Sequence, residues 1–469
     1  MMQYSSEAPT TAMINNNNHN STTNTNTAGG GQILPHRARP PWPGHPTSRA
    51  LAGLGDATSM ERLLVNCAAA IESNDATLAQ QILWVLNNIT LSVWDPNQRL
   101  TCSFLRALIL RAARNGTCKV LAAAIASSRG GSNISLSMEA HRFSIVELAA
   151  FVDLTPWYRF GFTAANAAVV DAVEGYSSIH IVDLGSMHCM QIPTLIDAIA
   201  SKFEVPPSMR LTVVVEMAAN DDGLLPINFS YEELGSRLVN FARSRNVNME
   251  FRVVVSSRSN GFSSLIEDLR KQKLIRSVDQ EALVVNCHMM LHYIPEDQTL
   301  APTQPMSILD CGLAFSSPRT TFLHSLRSVE PTIMVLVEED ADLTSNDVVT
   351  RLRSAFNYLW IPYDTADTIF PRESEQREWY ESHIRWRIEN VVAREGGERV
   401  ERLEGRGRWG ERLRGASFRG VGFGEEAVAE VKAMLDEHAN GWGMKREEDD
   451  LVLTWKGHNV VFASAWLPA

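Results

Sequence analysis

Five short apolar runs recur along the chain from residue 178 onward, and helical patterns separate them. They cover residues 178–184, 211–216, 249–255, 282–286 and 333–338, with valine and isoleucine prominent in most of them. Runs of this length and composition are typical of buried strands. Strands that alternate with helices form βαβ units, so we predict a doubly wound parallel sheet with helices on both faces.

Two capping signals predict where helices begin. Thr155 before Pro156 supplies an N-cap followed by a proline at the first helical position, which predicts a helix to about residue 173. Ser230 and Glu233 have the spacing of a capping box, which predicts another helix after residue 230.

The end of the chain has a different pattern. Residues 451–456 and 460–466 are largely apolar, and the residues between them, 457–459, predict a turn, so this segment should form an antiparallel hairpin. A parallel sheet closed by such a hairpin is the arrangement of the methyltransferase-type Rossmann sheet. We therefore predict this α/β fold class by analogy.

Apolar residues with heptad spacing precede the sheet. The pattern includes Leu64 and Ile71, breaks near Asn74, and resumes with Leu78 and Ile82. It predicts either a helical zipper that binds a partner or a hairpin of helices packed on its own core, and fewer than four heptads do not decide between them. We expect these four apolar residues to form part of a helical cap and of a dimer face.

The composition divides the chain. Residues 1–54 include an asparagine run and many prolines, which predicts a disordered low-complexity tail. We predict a helical cap over residues 55–175 and an α/β core over residues 176–469. No run approaches the roughly 18 apolar residues of a membrane-spanning helix, so no membrane association is expected.

The segment after the first strand bears on catalysis. Methyltransferase-type sheets carry D-x-G-x-G-x-G there, because the backbone must approach the cofactor closely. This chain retains Asp183 and Gly185 but has Met187 and Cys189 at the other glycine positions. Glu216, at the end of the second strand, is a candidate for the ribose hydroxyls or a simple strand cap. We predict no cofactor and no catalytic residue, with a degenerate S-adenosylmethionine-dependent methyltransferase as an alternative.

A metal site is not expected either. His288 and His292 are four residues apart, but the glutamate of an H-E-x-x-H motif is missing.

An arginine-rich stretch lies near the end of the chain. Residues 394–419 contain eight arginines and five glutamates, among them Arg399, Glu401 and Arg402. They predict either a docking surface for an acidic partner or for phosphates, the latter in a direct sequence-specific DNA binder, or a solvated helix with alternating charges. The net charge of −11 favours indirect over direct contact with DNA, since phosphate binding needs clustered cations.

Several segments resemble one family. The run Ile179-His180-Ile181-Val182-Asp183 resembles the V-H-I-I-D motif of the plant GRAS transcriptional regulators. The flanking heptads match its two leucine-rich regions, and residues 356–372 and 399–402 match its P-F-Y-R-E region. The last motif, S-A-W, matches Trp442, Gly443, Trp455, Ser464, Ala465 and Trp466. The resemblance covers residues 55–469.

The resemblance extends to one branch of the family. Residues 188–197 resemble the short-root branch, and residues 81–89 and 286–291 look most like a scarecrow-like member.

This resemblance implies a methyltransferase-like core with a helical cap in a nuclear, non-enzymatic regulator of transcription and plant development. Family members pair with other GRAS proteins as homodimers or heterodimers. They reach promoter DNA mainly through zinc-finger factors of the indeterminate-domain type. We expect Asp183 and His180 at the strand end, organising the loop above the sheet, and the three motif tryptophans as anchors of the C-terminal hairpin.

Overall fold

The computed structural model describes residues 56–89, 95–117, 141–216, 224–275, 281–296 and 317–469. The predicted low-complexity tail lies outside these residues. The helices are α1 Ala57–Glu72, α2 Ala76–Ile89, α3 Pro96–Arg114, α4 Ile145–Asp153, α5 Pro156–Ala172, α6 Ile192–Lys202, α7 Tyr231–Ser244, α8 Ser263–Ile275, α9 Pro318–Arg327, α10 Val348–Ile369, α11 Glu375–Ala393, α12 Arg406–Gly415 and α13 Glu425–Asp436.

The strands follow the predicted runs closely. They are β1 Ser178–Gly185, β2 Ser208–Val215, β3 Met249–Val255, β4 Glu281–His288, β5 Ile333–Glu339, β6 Phe418–Val421, β7 Trp442–Glu447, β8 Asp450–Trp455 and β9 His458–Pro468. The five predicted parallel strands and the C-terminal hairpin of β8 and β9 are confirmed. Strands β6 and β7 were not predicted, because short strands rich in glycine and charge lack the apolar signal.

One sheet contains these strands, in the order β3-β2-β1-β4-β5-β9-β8-β7, with β6 paired to β9. Strands β1 to β5 pair in parallel, and β9 pairs antiparallel with β5 so that Met334 faces Trp466. This order and the antiparallel closing strands confirm the predicted methyltransferase-like α/β class. In such a sheet the carboxyl ends of the parallel strands form the usual ligand edge.

Both faces of the sheet are covered. Alternate residues of β1 enter two clusters: Ile179 and Ile181 pack with α5 and α6, whereas Val182 and Leu184 pack with α8 and α9. The continuous apolar runs in the sequence therefore reflect a sheet that is buried on both sides.

Local signals start the helices where they were predicted. Thr155 accepts a hydrogen bond from Trp157 N at the start of α5, and Pro156 is the first helical residue. Ser230 Oγ accepts from Glu233 N (3.1 Å) at the start of α7.

The helical cap has two parts. Helix α1 packs with α10, and α3 packs with α10 and α11, which lie more than 200 residues later in the chain; α2 packs on α1 and α3. Arg99 of α3 donates to Glu381 of α11 (3.1 Å) and to Asp367 of α10 (3.2 Å). The single boundary predicted near residue 176 therefore does not delimit the cap, since residues 348–393 belong to it. Within the described part of the chain, no helix is long and apolar enough to cross a membrane.

Replacing Trp466 by alanine tests the packing of the last strand. Trp466 is 4% exposed in the cluster with Trp409, Phe418 and Phe462. We expect a loss of about 3–5 kcal/mol in the free energy of unfolding, because the cavity cannot collapse fully. Chemical denaturation measures the change. Val205→Ala, at a side chain that is 84% exposed, is the control and should shift it by less than about 0.5 kcal/mol; equal shifts would contradict the buried position of Trp466.

Candidate functional site

The loop after β1 is where a methyltransferase-type sheet brings backbone close to its cofactor. Here it forms a tight turn: Ser186 N donates to His288 O (3.0 Å), and Met190 N donates to Met187 O (3.0 Å). Met187 and Cys189 are 5% and 2% exposed. Both side chains pack in the hydrophobic core. We call these two positions the filled cofactor position, because they carry side chains where the methyltransferase motif has glycines.

Asp183, near the end of β1, belongs to a chain of buried polar contacts. Asn286 Nδ2 donates to Asp183 Oδ1 (2.8 Å) and to Gln191 Oε1 (2.9 Å). Gln191 Nε2 donates in turn to Asn166 Oδ1 on α5 (3.0 Å). Burial raises the pKa of Asp183 because the surroundings disfavour its charge. Asp183, Asn286, Gln191 and Asn166 are therefore joined in one chain of hydrogen bonds.

Glu216, the candidate for ribose hydroxyls, is bound to the loop after β3. Its carboxylate accepts hydrogen bonds from the Ser257 hydroxyl and from Arg258 Nε, the latter at 2.6 Å. Although burial opposes the change, these two partners lower the pKa of Glu216. The strand-cap interpretation fits these contacts.

These residues do not fit S-adenosylmethionine, since the glycine positions, Asp183 and Glu216 are all used by the protein's own contacts. Among the residues that the structure describes, no three His, Cys, Asp or Glu side chains are grouped to hold a metal ion. His292 instead lies with Nδ1 2.5 Å from Glu338 Oε2.

The remaining residues of the V-H-I-I-D-like run are structural. Ile179, Ile181 and Val182 are fully buried in the core. His180 lies within β1, not at its end, and its Nε2 is 2.9 Å from Thr212 Oγ1 on β2. The expectation that His180 organises the loop above the sheet is therefore wrong, because its ring faces the neighbouring strand.

A buried arginine joins the cap to the carboxyl end of the sheet. Arg387 of α11 donates through Nη1 to Glu339 of β5 (3.0 Å) and through Nε to Glu401 (2.8 Å). Trp157 Nε1 of α5 donates to the same Glu339 oxygen as Nη1 does (2.9 Å). Burial alone would raise the pKa of Glu339, but the charge of Arg387 lowers it.

The segment around Arg399, Glu401 and Arg402 is neither a solvated helix nor an exposed stripe. It is extended, and these side chains are 2%, 1% and 7% exposed. Arg399 Nη1 donates to Leu343 O (3.1 Å), and Arg402 Nη2 donates to Gly396 O (2.6 Å). At these three positions both interpretations are wrong, because main-chain carbonyls hold the arginines inside the protein. Farther along the predicted stretch, α12 is a helix with Arg408 and Arg414 exposed, as the helical interpretation expects.

The S-A-W residues fix the antiparallel strands. Trp455 of β8 is fully buried, and its Nε1 donates to Asp364 of the cap helix α10 (2.7 Å). Trp442 lies opposite it on β7, with 4.8 Å between ring centroids, and Gly443 follows on the same strand.

The S-A-W residues on β9 contact strand β5 and one another. Ser464 Oγ donates to Leu336 O of β5 (3.3 Å), and Trp466 Nε1 donates to Ser464 Oγ (2.8 Å). Ala465 is 4% exposed.

The heptad residues form a hairpin of helices. Leu64, Ile71 and Ile82 are at most 8% exposed, whereas Leu78 is 43% exposed. The chain turns at Asn74, whose φ is 58°. The three buried residues therefore cannot form a dimer face, and only Leu78 of the four is available to a partner.

Sequence reasoning missed several residues of this region, notably Asn166, Gln191, Asn286, Glu339 and Arg387. Asn286 and Glu339 lie at the ends of apolar runs. Because the carboxyl ends of parallel strands meet at one edge, the contact of Asn286 with Asp183, and the position of Glu339 at the same edge, could have been expected. The partners on helices carry no comparable signal.

Comparisons with known proteins give a family and several relatives. A family model described as the GRAS domain family matches residues 60–467. Scarecrow-like protein 32 of Arabidopsis thaliana is 58% identical over 90% of this chain and 97% of that protein. Protein SHORT-ROOT of Arabidopsis thaliana is 29% identical over 87% of this chain and 73% of that protein. These matches confirm the resemblance carried by the sequence motifs.

A solved structure has the same fold. The crystal structure of SCL7 in Oryza sativa matches 87% of this chain and 99% of that chain, with a TM-score of 0.63 and 21% sequence identity. At this identity the match shows the fold alone.

Calorimetric titration of the full chain with S-adenosylmethionine, and with its demethylated product, tests the filled cofactor position. We expect no saturable heat at millimolar ligand, since Met187 and Cys189 crowd the site. A methyltransferase with an intact glycine loop is the positive control. Saturable micromolar binding would contradict this account of the two side chains.

Arg387→Leu tests the buried arginine. We expect a loss of about 3–5 kcal/mol in the free energy of unfolding, because two buried carboxylates lose their cation. Arg385→Leu, two residues earlier and paired with the mostly exposed Glu378, should cost less than about 1 kcal/mol. Denaturation curves at several pH values measure both.

The stability lost in Arg387→Leu should depend on pH with a defined sign. In the parent, the lowered pKa of Glu339 gives stability that is present at neutral pH and lost as the pH falls through that value. In Arg387→Leu, burial without the cation should raise the pKa of Glu339. Acid then protonates this carboxyl and relieves the cost of burying its charge. The deficit of the variant should therefore shrink as the pH falls. A deficit that grows in acid would contradict the ion pair.

Proposed function

Because the chain belongs to the GRAS domain family, we propose that it is a nuclear regulator of plant gene expression and development. It acts by binding other proteins, and its methyltransferase-like body serves as a scaffold without catalysing a reaction. The filled cofactor position supports the scaffold role, since a methyltransferase needs backbone exposed to S-adenosylmethionine there.

The observation that carries the proposal is the composition of α2. None of its 14 residues is charged. Ala79, Leu83 and Leu86 are buried against the neighbouring helices, while Leu78 is exposed and Val85 is half-buried. The exposed positions of α2 are Thr77, Leu78, Gln81 and Asn87, so its outer face is uncharged, with Leu78 as the exposed apolar side chain. Depletion of charge around an apolar residue is typical of the core of a protein interface.

The partners we propose are of two kinds. Another GRAS protein, either a second copy or a different member, packs against α2 of the cap. A zinc-finger factor of the indeterminate-domain type brings the chain to promoter DNA. Burial of Arg399 and Arg402 supports this indirect route, because buried guanidinium groups cannot neutralise phosphates.

Leu78→Glu tests pairing through α2. A carboxylate placed in an apolar contact stays unpaired, so we expect self-association of the full chain to weaken at least about tenfold. Leu274→Glu is the matched control, because Leu274 lies on α8 and is 87% exposed. Analytical ultracentrifugation measures both, and equal association of the two variants would contradict a partner face on α2.

The regulatory role needs its own assay. The full chain, fused to a heterologous DNA-binding domain, should change the expression of a reporter gene in plant protoplasts. Unchanged expression, with the fusion present in the nucleus, would contradict a role in transcription.

A further inference from the structure

A groove of 370 Å³ opens at the amino ends of the parallel strands, away from the filled cofactor position. It lies between α5, the beginning of β5, the end of β9 and the turn that leads into α13. Small residues line much of it, namely Ala168, Ala172, Gly422, Gly424, Ala427 and Ala465. The groove exists because these side chains end at Cβ or before it. Its volume suits one bulky side chain with part of the chain that carries it.

Carboxylates surround this groove. Asp171 lines it, and Glu426 and Glu430 stand on the first two turns of α13 beside it. Asp171 Oδ2 lies 3.9 Å from the point that a Cβ on Gly424 would occupy, directly before α13. Burial raises the pKa of Glu430, and the charges of Glu426 and Asp171 act in the same direction. Lys202 is the nearby cation and pairs with Glu426 at 3.1 Å.

Further acids lie near the glycines of the groove. Asp449 Oδ1 lies 3.4 Å from the point that a Cβ on Gly422 would occupy. Glu425, at the start of α13, pairs with Arg446 at 2.6 Å. A further cation, Arg419, is exposed on β6 opposite the lining residue Leu467. The five acids named here still outnumber the three cations Lys202, Arg446 and Arg419 around an opening whose lining is mainly small and apolar.

We propose that this acid-rimmed groove binds a segment of a partner protein in which one bulky apolar side chain is flanked by lysine or arginine. The apolar side chain fills the groove and gains by leaving water. The flanking cations meet the carboxylates, which repel acidic segments and nucleic acid and so set specificity. The inference rests on the proposed function as a partner-binding regulator and adds the chemical class of the partner segment.

A peptide array probed with the full chain tests the class of ligand. One set of peptides carries a central Phe, Leu, Met or Trp flanked by Lys or Arg. A second set has Glu in place of the cations, and a third has a central Ser. Retention by the first set alone supports the proposal. Retention by the second or third set to the same degree, or by none, overturns it.

Variants locate the binding on the groove. With the best peptide, labelled for fluorescence anisotropy, Ala172→Phe should weaken binding at least about tenfold, because the new ring occupies the groove. The double variant Asp171→Asn, Glu430→Gln keeps the shapes of both side chains and should reduce the affinity and its dependence on salt. Glu373→Gln, an exposed carboxylate on the cap, is the matched control.

The outcomes separate this inference from the proposed function. Unchanged binding by the double variant overturns the groove proposal, even if Ala172→Phe fails to fold. Leu78→Glu should bind the peptide as the parent does, since α2 takes no part in the groove. Peptide binding without any effect on the reporter gene contradicts the regulatory role alone, whereas the reverse result contradicts the groove alone.

Discussion

The ion pairs of Arg387 with Glu339 and Glu401 join parts of the chain that the sequence keeps far apart. They connect a cap helix, the carboxyl end of a central strand and the extended segment before α12. A buried charge is costly unless it is paired and hydrogen-bonded, so each of the three side chains requires the others. The position of α11 on the sheet is therefore specified by charge as well as by apolar packing.

The same principle describes the polar groups at the strand ends. In a methyltransferase-type sheet, acids and glycines at this edge are held ready for a cofactor. Here Asp183 binds Asn286, Glu216 binds Arg258, and Glu339 binds Arg387. Polar groups that would recognise a ligand instead hold helices and loops to the sheet. An edge used in this way supports the proposed role of the body as a scaffold.

Much of the fold could be predicted, because strand runs and caps are local signals. The β1 run and the Thr155-Pro156 start of α5 needed only neighbouring residues. The failures are non-local. Arg399 was expected on a surface because its partner, the carbonyl of Leu343, lies 56 residues away. Likewise, the heptads could not show that Leu64 faces its own core while Leu78 faces solvent.

Burial of arginine also determines what the surface can bind. Among the residues that the structure describes, nine arginines are buried against six carboxylic acids. Each arginine removed from the surface leaves the exterior more acidic than the net charge of −11 suggests. Phosphates are repelled by such an exterior, whereas segments rich in lysine or arginine are attracted to it. Burial of these cations thus supports the proposed route through protein partners rather than direct contact with DNA.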